Sequence, residues 1–145
     1  MQVDFYQLTR DPAEKVLPAI AQRVLDGGGR LLVVGGDTAQ LETISSALWH
    51  WKPESFLAHA KAGEGDDNIQ PVLLSTDTAA ANGAKFIVLA DGLWRDEALE
   101  FDRAFYLFPP SHTENARAAW RALGEREGVE RRYWKQDGGK WVQGP

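Results

Sequence analysis

Four consecutive apolar residues, Leu31-Leu32-Val33-Val34, set between Gly27-Gly28-Gly29 and Gly35-Gly36-Asp37, constrain the fold of this chain more than any other stretch. A run with no polar residue on either side suits a strand covered on both faces, as in the middle of a parallel sheet. The flanking sequence agrees. Val3 to Leu8 reads as an earlier strand, and Asp11-Pro12 looks like an N-cap followed by proline at the first helical position. Val16, Leu17, Ile20, Val24 and Leu25 then recur at helical spacing until the triple glycine. Beyond the apolar run, Asp37 or Thr38 caps a second helix with Leu41, Ile44, Ala47 and Leu48 on one face. Strand, helix, strand, helix is the opening of a parallel α/β sheet with right-handed crossovers.

The remaining punctuation extends that plan. Val72 to Ser75, Phe86 to Leu89 and Phe105 to Phe108 read as further short strands, the last stopped by Pro109-Pro110. Asp91 to Glu100 reads as a short helix, and Ser111 or Thr113 caps a last helix to about Arg126, ended by Gly128. Tyr133-Trp134 and Lys140-Trp141-Val142, on either side of Asp137-Gly138-Gly139, read as a terminal hairpin. The segment from Ala47 to Gly65 has neither period. The expected fold is α/β, a single domain over residues 1–145: a mostly parallel, Rossmann-like sheet with helices on both faces and a C-terminal β-hairpin.

Composition excludes several kinds of chemistry. The 145 residues contain no cysteine, which removes disulfides, thiolate metal sites and a cysteine nucleophile. No apolar run approaches the roughly 20 residues that span a bilayer, and the N-terminus alternates like a strand instead of resembling a signal sequence. A cytoplasmic protein without membrane contact is expected. A formal charge of −5 argues against direct nucleic-acid binding, although arginine gathers between Arg103 and Arg132 and could form a local basic patch for a small acidic ligand.

The search for a catalytic constellation finds little. Gly35-Gly36-Asp37 stands where nucleotide folds cradle phosphate, but it lacks both the Gly-x-Gly-x-x-Gly spacing and a Gly-Lys-Ser/Thr. A small Rossmann-like enzyme binding a nucleotide or methyl donor there is the rival reading; a tight turn and helix cap is the plainer one. His50, His59 and His112 are far apart and belong to no metal-ligand pattern, so neither a metal nor a cofactor is expected. His59 beside Glu64 could form an acid–base pair, with a loop-fixing hydrogen bond as the simpler role.

Two surface constellations are more informative. Trp49, Trp51 and Phe56 crowd the end of the second helix, and three large aromatics within eight positions do not easily share one small core. On the last helix Ala116, Ala119 and Leu123 set the apolar face, Trp120 lies on its shoulder, and Arg117 and Arg121 are side by side next to it. Guanidinium groups that fork onto carboxylates beside an indole edge suit an acidic peptide with an apolar end. A half-buried tryptophan between solvated arginines is the alternative.

The string Glu54-Ser55-Phe56-x-x-His59-x-x-Ala62-Gly63-Glu64-Gly65, the Ala116-Arg117-x-x-Trp120 helix and the Tyr133-Trp134-x-x-x-Gly-Gly-x-Trp141 ending resemble the chi subunit family of bacterial DNA polymerase III. The resemblance implies a non-catalytic adaptor with a nucleotide-fold-like architecture and no nucleotide site. DNA polymerase activity would belong to the holoenzyme. Such subunits bridge the clamp loader, through the psi subunit, to single-stranded DNA-binding protein, whose acidic tail ends in an apolar residue with a free carboxylate. By this resemblance Arg117, Trp120 and Arg121 form the tail pocket, Trp49 and Phe56 face psi or a competing repair helicase, and DNA is met only indirectly. Two departures stand out: Thr113-Glu114-Asn115 lacks the lysine common at the start of the last helix, and Trp120 replaces the usual tyrosine, so either tail affinity is weaker or another residue, such as Arg95 or Arg103, supplies the charge.

Overall fold

The computed structural model describes residues 1–51, 57–138 and 140–144. Eight strands form one sheet: β1 (Gln2–Gln7), β2 (Leu31–Val34), β3 (His59–Lys61), β4 (Val72–Ser75), β5 (Phe86–Leu89), β6 (Arg103–Phe108), β7 (Glu130–Asp137) and β8 (Lys140–Gly144). Their order across the sheet is β3-β4-β2-β5-β6-β1-β7-β8. Every neighbouring pair is parallel except the β7–β8 hairpin. The α/β architecture expected from the sequence is therefore present.

Side chains alternate between two cores. On one face α1 (Ala13–Asp26) and α2 (Thr38–Trp49) pack Leu17, Ile20, Ile44 and Leu48 against Leu31, Val33, Leu74 and Phe105. On the other, α3 (Thr113–Gly124) packs Ala116, Ala119 and Leu123 against a layer that includes Val3, Phe5, Tyr106 and Phe108. Both faces of β2 and β5 are thus covered, which explains their unbroken apolar sequences.

Local chemistry sets the ends of the elements. Asp37 caps α2 by accepting from the Gln40 N–H at 2.8 Å. The triple glycine ends α1 in a Schellman motif: Gly28 takes φ +82°, its N–H reaches Leu25, and the Gly29 N–H reaches Val24. Other expectations are corrected. Asp11 does not cap α1; Pro12 holds that position, while the Asp11 carboxylate accepts from Gln136 Nε2 at 2.9 Å. Neither Ser111 nor Thr113 caps α3, since the Thr113 hydroxyl donates back to the Pro110 carbonyl. The stretch from Asp91 to Glu100 is a 3-10 turn over Asp96–Glu100 only, because Gly92 at φ +81° breaks any earlier helix. β3 is a strand where no strand period was legible, and α3 stops at Gly124 instead of near Arg126.

Tyr106 illustrates what the second core demands of a polar group. Its ring is buried, and its hydroxyl donates to the Gly92 carbonyl at 2.8 Å. Burial first, and then the Asp91 charge, push its pKa up to about 12. Because the fold prefers the neutral phenol, this contribution to stability is complete below the unfolded value near 10 and is lost as pH rises toward 12. Denaturant titrations should therefore show stability falling across that window, and Tyr106→Phe should flatten the fall; an equally steep fall in the variant would assign it to other groups.

Candidate functional site

Arg117, Trp120 and Arg121 border a cavity of about 330 Å³ between α3 and the β1–β7–β8 end of the sheet. Gln7, Arg117, Trp120, Arg121, Tyr133, Lys135 and Gly144 line it. Its floor is aromatic. The Trp120 ring meets Phe5 edge-on at 5.2 Å and Tyr133 at 5.7 Å, while Tyr133 stacks on Phe5 at 6.2 Å. Register explains the grouping: β7 lies beside β1 with Tyr133 opposite Phe5 and Lys135 opposite Gln7. Residues two apart on a strand share a face, so all four look toward α3.

Trp120 is half-buried, which settles its place on the shoulder of the helix. Its outer ring face is capped by the Arg131 guanidinium, 4.1 Å from the centroid, whose Nη1 also donates to the Trp120 carbonyl at 2.6 Å. That arginine crosses α3 where the helix ends, and a Cβ at Gly124 would come within 2.8 Å of it. Glycine at this position therefore clears the path of the residue that orients the indole. The Tyr133 hydroxyl donates to Gln7 Oε1, and burial raises its pKa against the opposing charge of Arg117. Arg117 pairs with Glu114 at 2.9 Å, with both side chains largely exposed. Arg121 and Lys135 have no ion pair among the described residues.

Neither arginine expected to replace the missing lysine does so. Arg95 forks onto Asp91 through two bonds of 2.8 Å. Arg103 is held by buried Asp4, with Nε to Oδ2 at 2.7 Å, and lies over Phe105 on the α1 side of the sheet. The charge that does reach the pocket is Lys135, a residue the sequence reading did not single out.

Of the three aromatics at and after the end of α2 in the sequence, Trp49 and Trp51 part company. Trp49 is 48% exposed at the end of α2 and lies against the His59 ring at 4.4 Å, whereas Trp51 packs on the α1–α2 core. Phe56 falls outside the described residues. The His59–Glu64 pair is not formed. His59 Nδ1 donates to the Leu57 carbonyl at 2.7 Å, which leaves Nε2 to accept from Ser45 at 2.8 Å, while Glu64 accepts from the Lys61 N–H.

At the Gly35-Gly36-Asp37 turn, the chain itself occupies the donors a phosphate would need. Gln40 Oε1 accepts from the Gly36 N–H at 2.7 Å, and the Asp37 and Asp91 carboxylates stand beside it. No cluster of three or more metal-ligating side chains occurs among the described residues, and no described helix is long and apolar enough to cross a membrane.

The chain is thus an α/β protein of nucleotide-fold-like topology, with the Gly36 N–H taken up by its own Gln40 and an aromatic cavity rimmed by cations on the α3 face. The family model for the DNA polymerase III chi subunit, HolC, matches residues 1–130, and the chain belongs to that family, a non-catalytic accessory subunit in DNA replication. No curated protein matches the chain.

Proposed function

We propose that this chain is an adaptor of the replicative DNA polymerase, linking the clamp loader, through psi, to the acidic C-terminal tail of single-stranded DNA-binding protein. The cation-rimmed cavity on Trp120 and Tyr133 carries this reading. Arg117 and Arg121 are placed to fork onto a terminal carboxylate, and the indole and phenol rings wall a slot for the last apolar side chain. Trp49 is the anchor for psi or for a repair helicase competing with it.

The separation of these surfaces supports a bridging role. Trp49 ends α2 on one face, next to edge strand β3, and the cavity lies on the other face near β7. These strands are first and seventh in the order, so six spacings of about 4.8 Å separate them by roughly 29 Å. Both partners can be held at once.

Tryptophan fluorescence titration with the last ten or so residues of the same organism's single-stranded DNA-binding protein tests the reading. Saturable, salt-sensitive binding is expected with a free carboxylate and not with an amidated end, and Trp49→Ala should leave the curve unchanged. Equal binding of both peptides, or of neither, would overturn the tail assignment.

A further inference from the structure

We infer that Lys135, at the end of β7, is the third cation of the cavity and takes the acidic side chains that precede the terminal carboxylate of the bound peptide. The inference rests on the peptide-binding reading of the site. It concerns a residue beyond the segment matched by the family, which ends at 130.

Topology places Lys135 across from the start of α3. β6 and β7 both run parallel to β1, so their C-terminal ends share one edge of the layer. The chain leaves β6 at Phe108, turns through Pro110–His112 and enters α3 at Thr113 on that same edge. At the opposite end of β7, Arg131 reaches the Trp120 carbonyl and passes Gly124, where α3 finishes. The strand and helix therefore run against each other, with Lys135 beside the early turns of the helix and Arg131 beside its last. Lys135 thus brings a positive charge to the end of the cavity where Thr113-Glu114-Asn115 offers none.

The charge balance of the cavity argues for a ligand with more than one negative group. Among the described residues its lining contains Arg117, Arg121 and Lys135 and no carboxylate. Glu114 meets Arg117 only as an exposed pair, and such pairs are weak enough for a ligand to displace. A single terminal carboxylate would leave cations unmatched on a chain whose overall charge is −5.

The three cations also differ in what they recognise. A guanidinium forks onto one planar carboxylate, and the two arginines flank Trp120 on the helix, next to the slot for the terminal side chain. An ammonium is a mobile point charge that serves any carboxylate within reach. Placed at the strand end, away from that slot, Lys135 meets the residues upstream of the terminus.

The test uses the full chain and two synthetic peptides of about ten residues, each ending in phenylalanine with a free carboxylate. One carries three aspartates and the other asparagine at the same positions. At low salt Lys135→Met should weaken the aspartate peptide by roughly 3- to 10-fold and leave the asparagine peptide unchanged, whereas Arg117→Ala should weaken both. Lys135→Glu should exceed the loss of Lys135→Met on the aspartate peptide alone. Equal losses on the two peptides, or none on the aspartate peptide, would overturn the role of Lys135 while Arg117→Ala still marked the cavity. Wild-type chain binding neither peptide, or binding both undiminished by Arg117→Ala, would overturn the cavity reading itself.

Discussion

Arg103→Met should destabilise the fold by about 2 to 4 kcal/mol, the largest loss expected from changing a partly exposed residue of this chain. The reason is the carboxylate it leaves behind. Asp4 lies in β1 with no exposed surface, and its charge is met by Nε and Nη2 of Arg103, with the Gln2 amide adding a bond of 3.0 Å. Removing the guanidinium leaves a buried anion with one neutral donor, and it also removes the cation over Phe105. The estimate falls below that for a fully enclosed pair because the arginine side chain is 36% exposed. Asp4→Asn in the same background should recover much of the loss, since an amide needs no counter-charge. Urea unfolding of the two single variants and the double variant measures the coupling; a double variant no more stable than Arg103→Met would refute the charge argument.

The elements readable in the sequence were those whose burial leaves a one-dimensional mark. β2, β4 and β5 have the bounds expected because each is covered on both faces and contains almost nothing polar. Asp37 was legible as a cap because its acceptor lies three residues from its donor. β3 was not, because three residues at an edge, His-Ala-Lys, are too few to show a period and two of them, Ala60 and Lys61, are only partly buried. The end of α3 was misplaced for a different reason: the helix finishes at Gly124, where Arg131, seven residues later, needs room to cross it. A clearance of that kind has no local signature.

The site divides along the same line. Arg117, Trp120 and Arg121 share one helix, so spacing alone put them together. Gln7, Tyr133 and Lys135 join them only through the pairing of β1 with β7, whose residues are 126 apart for the Tyr133–Gln7 hydrogen bond. Charge was the harder part to read. Arginine clusters toward the C-terminus, yet Arg103 is turned to the other face by Asp4, and Arg131 is spent on the indole. The cations that remain for a ligand are set by which acids the fold buries beside the others.

Trp120→Ala should reduce binding of the acidic tail by at least two orders of magnitude and cost about 2 to 3 kcal/mol of stability. On the proposed reading the ring serves both fold and ligand: its edges pack on Phe5 and Tyr133, Arg131 covers one face, and what remains walls the cavity. Truncation removes that wall and frees the Arg131 guanidinium from its cation–π contact, so the two losses arise together. Arg117→Ala separates them. Its side chain is 61% exposed and touches only Glu114 among the ion pairs, so stability should change by less than about 0.5 kcal/mol. Binding should nevertheless weaken by about 1.5 to 3 kcal/mol if the guanidinium makes a charge-assisted bond to the tail. Titration calorimetry beside thermal unfolding of both variants reads the two axes independently. Trp120→Ala that unfolds early yet still binds would make the indole a structural residue alone, and Arg117→Ala with full affinity would remove the arginine fork from the recognition of the carboxylate.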